Sequence, residues 1–402
     1  MRRVVIIGGG AAGFFAAITA AEANPELAVT ICEASRQVLA KVRISGGGRC
    51  NCTHHCFDPR ELVTHYPRGS RELLGPFNRF GPADTIAWFE GRGVPLKVED
   101  DGRMFPVSDD SASIVDCLTS SAEAAGVRVL LGSGIQRIEH ANGLFTLSLA
   151  SGTLAAEAVV LASGSSPRGH ALAAALGHTI IDPVPSLFTF DCDAPWLTSL
   201  AGISRERATV MLAVNDEHIS ATGPVLITHR GLSGPAVLRV SAFGARLLHA
   251  VNYQCSITID WLAGGDADAL IANARDQYGQ RKLRTTPLAG IAKRLWEALL
   301  ARAGINAERS WSQLRRDEAS ALAAQLARCT IPVRGKSTFK EEFVTAGGVA
   351  RDELNWRSMA SKTCPGLYVV GEAVDVDAVT GGFNFQHAWT SGYLAGSAIA
   401  AS

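Results

Sequence analysis

The stretch VVIIGGGAAG near the amino terminus limits the fold more than anything else in the chain. Arg3–Ile7 is a short β-branched apolar run that stops at a glycine, the pattern of a strand buried within a parallel sheet. The alanine-rich, proline-free segment Ala11–Ala23 reads as a helix, and Ala28–Cys32 as the next strand. Between the first strand and the helix, Gly8, Gly10 and Gly13 are spaced G-x-G-x-x-G, and Glu33 follows Gly13 by 20 residues. Gly8 permits a tight turn, Gly10 lets the backbone approach a diphosphate, and Gly13 lets the helix lie close to the strand. The helix start, Ala11 and Ala12 included, offers N–H groups without helical partners and a partial positive charge to that anion. Glu33, followed by Ala34, stands where ribose hydroxyls would donate. The consequence is a βαβ unit that binds a dinucleotide.

The two arginines, apolar run and small residues at the start also imitate a secretory leader. Three glycines interrupt that run, and the dinucleotide reading accounts for all of them, so we expect no leader. Lys and Arg total 38, as do Asp and Glu, which leaves no excess charge for a phosphate backbone or an anionic membrane. No apolar run reaches the ~18 residues of a spanning helix. Nine cysteines scattered through 402 residues do not form a disulfide framework. These totals fit a reduced, cytoplasmic chain whose partner is neither nucleic acid nor membrane.

Farther along, helices are expected at 82–93 and 108–125, the second with Asp109, Asp110 and Ser111 as capping candidates. Strands are expected at 127–131, 136–139, Leu144–Leu149 and Ala158–Leu161, separated by GSG, ANG and SGT turns. Near Pro183 the character changes. DPVPSLFTFDCDAP is extended, alternating segments such as ATVMLAVN and QCSITIDW follow, and residues 266–326 turn helical and highly charged. Glycine turns and short strands return near Val344, with a buried strand at 367–370 stopped by Gly371 and an Ala/Gly-rich helix at 386–400. We read an α/β domain at 1–186 and 346–402, interrupted at 187–345 by mixed β and α structure whose helical part covers about 264–328.

The fingerprint does not choose between FAD and NAD, because both carry an ADP half. The tail GEAVDVDAVTGGFNFQHAWTSG favours FAD. Asp375 is placed to accept from the hydroxyls of a ribityl chain, which NAD lacks. Gly381 and Gly382 let the backbone approach a flat ligand. The helix amides near Phe385 and Gln386 would favour the negative charge that a flavin gains on reduction. Gly392 and Gly396, one helical turn apart, suit close packing. A different chemistry is raised by ISGGGRCNCTHHC at 44–56, with Cys50, Cys52, His54, His55 and Cys56. Cys50 and Cys52 are only two apart, no second pair with zinc spacing occurs elsewhere, and C-x-x-C is absent, so neither metal nor thiol redox chemistry is expected.

The chain resembles, nearly end to end, the BaiN-like or aminoacetone-oxidase-like family of FAD-binding flavoproteins. The resemblance is carried by VVIIGGGAAG, ISGGGRCN, GRMFPVS, LASGSSP, THRGLSGPAVLRVS, TAGGV and the GLYVVGEAVD…GGFNFQHAWTSG tail. It implies a Rossmann-like FAD-binding domain with a central parallel sheet, an inserted β-barrel plus helical domain above the flavin, and an oxidoreductase of poorly defined substrate. In that setting Ser45, Gly46, Gly47 and Gly48 grip the cofactor through backbone N–H groups and a hydroxyl. Lys41 or Arg49 offsets diphosphate charge, Asn51 shapes the loop, and Cys50 and its neighbours are passengers. Further contacts are expected from Ala162, Ser163 and Gly164, from Gly371 and Glu372, and from Phe383, Asn384 and Phe385 after the Gly381–Gly382 pair. The chain departs from the family at Ser163-Gly164-Ser165, at Cys52 and at LAKVRIS, which bears on the substrate rather than on flavin binding.

A flavin carries the hard chemistry itself, so the protein positions a substrate and manages protons. Candidate proton handlers are His229, Arg230, Arg103 and His387, and each has a plainer role open to it. His387 could satisfy a backbone carbonyl, Arg103 could pair with Glu99 or Asp100, and RGLSGP could close a barrel strand with Pro235 starting a helix. None is assigned as catalytic. GSG at 132–134 lacks a third glycine, so no second dinucleotide fingerprint exists and NAD(P)H would visit only transiently as electron donor. The expected activity moves a hydride to or from a small amine or enone-like substrate enclosed by the insertion. Two other functions compete: an RNA-modifying flavoenzyme, with QRKLR and QLRR as its basic segments, and a non-catalytic flavin redox sensor.

Overall fold

Val4, Val5, Ile6 and Ile7 point to both faces of the first strand, and all four are buried. A strand of this kind must lie inside a sheet covered on both sides. The computed structural model, which describes residues 1–337 and 344–402, places it there. Arg3–Ile7 runs parallel to Ala28–Cys32 on one side and to Ala158–Leu161 on the other. The full sheet runs Leu354–Asn355, Ala360–Ser361, Leu367–Val369, Ala158–Leu161, Arg3–Ile7, Ala28–Cys32, Arg128–Leu130. Leu367–Val369 continues the parallel set, while Ala360–Ser361 and Leu354–Asn355 add an antiparallel edge. The turns at Gly8, Ala162 and Gly371 therefore leave the same ends of three neighbouring strands, the place where open α/β sheets bind ligands.

Met1–Val184 and Val344–Ser402 together make the unit built on this sheet. Its first helix, Ala11–Ala23, packs against the terminal helix, Phe383–Ala400. A Cβ on Gly392 would stand 2.7 Å from Ala12 O, and one on Gly396 2.5 Å from Ala16 O, so the small face lets the two backbones touch. Phe15 fills the adjoining layer among Phe80, Trp88 and Trp389, at ring separations of 5.4, 4.6 and 5.4 Å.

Helix limits differ from expectation where a local cap decides them. The helix expected at 82–93 stops at Glu90, and Gly93 turns the chain with φ +80°. The next begins at Ala112, where Asp110 Oδ1 accepts the Ala112 N–H at 2.8 Å. The terminal helix starts at Phe383 instead of residue 386, because Gly382, at φ +88°, is its cap.

Pro185–Phe343 forms a second unit. Six strands close a barrel in the order Phe190–Cys192, Gly231–Ser233, Glu217–Ile227, Ser204–Val214, Cys255–Asp260, Cys329–Lys336. Alternation does this work: Ala208, Val210, Leu212 and Val214 point inward from one strand. The RGLSGP segment does close a barrel strand, and Pro235 does open a helix, Pro235–Phe243. Helices Ala267–Tyr278, Lys293–Arg302 and Arg316–Ala327 share a core with the barrel that includes Trp261, Trp296 and Trp311. Among the described residues no helix is long and apolar enough to cross a membrane.

Candidate functional site

The three fingerprint glycines stand in different surroundings. A Cβ on Gly8 (φ +111°) would stand 2.4 Å from Ala162 O, and one on Gly13 would stand 2.1 Å from Gly8 O. Both positions hold the first helix, the first strand and the strand Ala158–Leu161 together. Gly10 is different: nothing lies within 4 Å of where its Cβ would be. The open space in front of Gly10, beside the first-turn amides of the helix, fits a diphosphate. Glu33 accepts the N–H groups of Gly9 and Ser35, each at 2.7 Å, and keeps further lone pairs for hydroxyl donors.

Gly371 (φ +60°) joins this rim, since a Cβ there would lie 2.9 Å from Ala12 Cβ. Glu372 is ion-paired with Lys41, and its Oε2 would be 3.6 Å from a Cβ on Gly164. Lys41 lies on the helix Ala40–Gly48, which breaks near its end: Ser45 is extended (ψ 151°), and Gly46 and Gly47 are left-handed (φ +58° and +69°). Gly47 and Gly48 face open space, whereas Gly46 packs where a Cβ would meet Phe105 at 2.8 Å. Of the two cations expected near the diphosphate, Lys41 reaches the rim. Arg49 is turned to Glu99 (2.6 Å) and Asp109 (3.4 Å) and lies 4.0 Å above the Phe105 ring.

Cys50 and Cys52 are fully buried. Burial pushes the Cys50 thiol up to about 12 and that of Cys52 well above its usual range, which keeps both protonated. Asn51 shapes the loop as expected. With its amide turned to satisfy both neighbours, it donates to Thr53 O (3.2 Å) and accepts from Gly382 N–H (2.9 Å).

Gly381 (φ +130°) and Gly382 bring the chain against that loop, and a Cβ on Gly382 would meet Thr53 O at 2.5 Å. The helix amides without a helical partner are those of Phe383, Asn384 and Phe385. Gln386 N–H already donates to Gly382 O at 2.9 Å, so it is not among them. Its side chain instead anchors a buried network: Thr53 and Thr85 hydroxyls donate to Oε1 (2.6 and 3.0 Å), and Nε2 donates to Thr390 Oγ1 (3.0 Å). Asn384 ties the preceding loop through Ala378 N–H and C=O, at 3.0 and 3.1 Å.

Asp375 is buried, with the Arg351 guanidinium 3.6 Å away. A buried Arg68–Asp377 ion pair anchors the same loop. Phe383 stacks on His65 (4.1 Å) and His54 (4.6 Å), and Tyr66 OH donates to Phe383 O at 2.6 Å. Reading the sequence alone missed His65, Tyr66, Arg68 and the Gln386 network. Each depends on contacts between segments far apart in the chain, for which no local pattern exists.

The proton-handler candidates separate. His229 is exposed and Arg230 pairs with Asp191, both within the barrel unit. Arg103 pairs with Asp101 (2.7 Å) and Glu99 (2.9 Å); Asp100, the other acid expected, is not its partner. His387 is buried, with Nε2 3.3 Å from Gly371 O, and burial pushes its pKa down to about 4.

A family model described as the HI0933-like protein Rossmann domain matches residues 2–398. The chain is 30% identical over 400 residues to a ribosomal RNA dihydrouridine synthase of Escherichia coli, covering 97% of this chain and 96% of that protein. It is 28% identical over 411 residues to a 3-dehydro-bile acid delta(4,6)-reductase of Clostridium scindens, covering 100% and 99%. Among solved structures, a 3-ketosteroid-delta4-(5alpha)-dehydrogenase of Rhodococcus jostii RHA1 has the same fold at 15% identity, with TM-score 0.52 over 99% of this chain and 97% of that one.

Proposed function

Because the chain belongs to the HI0933-like Rossmann family of FAD-binding flavoproteins, we propose that this FAD-dependent oxidoreductase reduces a carbon–carbon double bond conjugated to a carbonyl. The observation that carries the reading is the rim itself, where Gly8, Ala162 and Gly371 leave adjacent strand ends beside the open face of Gly10. FAD supplies hydride transfer when bound, with NAD(P)H as its transient reductant. The first-turn amides after Gly10 and the Lys41 ammonium hold the diphosphate, and Glu33 accepts from the ribose. Amides of Phe383, Asn384 and Phe385 favour negative charge placed before them.

The class of substrate is supported by what the relatives are named for. One makes dihydrouridine and the other reduces delta(4,6) unsaturation, so both add hydrogen across a carbon–carbon double bond. We place the substrate among small enone-like molecules. A uridine in RNA is the second reading, favoured by the 30% identity to the dihydrouridine synthase. Against it, the basic segments of the barrel unit are partly neutralised locally: Lys282 and Arg284 of QRKLR pair with Glu308, and Arg315 of QLRR lies 3.3 Å from both Asp317 and Glu318. Nine free thiols fit a reducing cytoplasm.

The test is anaerobic. Holoenzyme is reduced with NADPH or NADH and mixed either with a panel of cyclic enones or with ribosomal RNA lacking dihydrouridine. Flavin reoxidation and a product carrying two added hydrogens are expected with an enone. Reoxidation by RNA alone moves the assignment to the second reading, and reoxidation by neither rejects the proposed chemistry.

A further inference from the structure

Two side chains of the terminal helix close on a single residue of the rim. Ser391 Oγ accepts the Gly371 N–H at 3.0 Å, and His387 Nε2 lies 3.3 Å from the Gly371 carbonyl oxygen, which also receives Val374 N–H at 3.1 Å. A carbonyl oxygen only accepts, so the imidazole is fixed as the Nε2–H tautomer and Nδ1 is left as an acceptor. That Nδ1 is buried and has no hydrogen-bond partner among the described residues. A side chain needed only to fill space here would do so at lower cost as a hydrocarbon. Gly371 has little room of its own: its φ is +60°, and Ala12 of the first helix lies directly against it. The next residue, Glu372, carries the carboxylate paired with Lys41 beside Gly164.

We infer that His387, acting with Ser391, is a positioning residue for the cofactor: the neutral imidazole and the hydroxyl hold the C=O and N–H on the two sides of the Gly371 Cα and so set the Glu372 carboxylate and Lys41 at the dinucleotide rim. His387 has this role only if FAD occupies the rim, the reading proposed above.

The test follows release of FAD from holoenzyme by the recovery of free-flavin fluorescence, with melting temperature measured alongside at saturating FAD. H387Q keeps a donor where Nε2 stands, while H387L keeps the bulk and loses the donor. H387L is expected to release FAD about tenfold faster than wild type, and H387Q to stay within about threefold. S391A is expected to move with H387L, and S391T, which keeps the hydroxyl, to stay with wild type. Equal release from H387L and H387Q overturns the role, as does release from both at the wild-type rate whatever their melting temperatures. Should H387L fail to fold, S391A against S391T decides in the same way. Wild-type protein that emerges without flavin and takes up none defeats the cofactor reading first, a result distinct from a failed contrast between variants.

Discussion

Gly10 and Gly13 are the same residue type three positions apart, yet they answer to different forces. Gly13→Ala drives a methyl to 2.1 Å from a backbone oxygen, which we expect to cost about 3 kcal/mol of stability. Gly10→Ala meets nothing within 4 Å, so stability should stay within about 0.5 kcal/mol while FAD affinity falls about tenfold. Urea unfolding without added FAD, beside an FAD titration, separates the two; equal destabilisation would refute the division. His387 gives a pH prediction. Its pKa falls from 6.5 in the unfolded chain to about 4 in the fold. Between those values the unfolded chain binds the proton and the folded one does not, so stability is intact above pH ~6.5 and is lost as pH drops toward ~4. The wild-type advantage over H387Q should shrink by about 2–3 kcal/mol between pH 7.5 and 4.5, measured by urea unfolding. The glycines were legible because one spacing encodes them. The Gly371 partner of His387 was not, since nothing local to residue 387 says which carbonyl it will meet.

Elements transmit these local effects. The first and terminal helices touch through Gly392 and Gly396, a face visible in the sequence as small residues one turn apart. An alanine in a helix interior gains up to ~1 kcal/mol in propensity over glycine, but overlap with a backbone oxygen costs about 1–3 kcal/mol, so overlap wins. G392A and G396A should each destabilise by about 1–2 kcal/mol on thermal or urea unfolding. They should differ in FAD affinity. Gly392 presses on Ala12, in the first turn after Gly10, whereas Gly396 presses on Ala16 a turn farther along. Loss of affinity confined to G392A is expected, and an equal loss in both would show that the whole interface governs the site. The 44–56 stretch was read as a glycine loop, and its glycines instead break the end of the helix Ala40–Gly48, with Gly46 and Gly47 left-handed. The direction of Arg49 was illegible, because Glu99 and Asp109 reach it only after the Leu96–Val98 and Arg103–Pro106 strands pair.

At the scale of the molecule, the sheet and the barrel draw on different kinds of pattern. Parallel strands such as Arg3–Ile7 are continuous apolar runs and can be read one at a time, whereas a barrel exists only once its ends meet. Here Phe190–Cys192 pairs with Cys329–Lys336 across most of the inserted segment, a register no single strand encodes. Closure removes exposed edges, and a core containing Trp261, Trp296 and Trp311, all fully buried, lies within that continuous stretch. The sheet unit lacks this independence, because Leu367–Val369 and the terminal helix return from the far end of the chain to complete it. Residues 185–343 expressed alone should therefore unfold in one cooperative transition with near-UV tryptophan signals and leave added FAD fluorescence unchanged. A broad, non-cooperative melt would show that the barrel depends on the sheet unit to fold, and flavin binding by the fragment would move the cofactor away from the glycine rim.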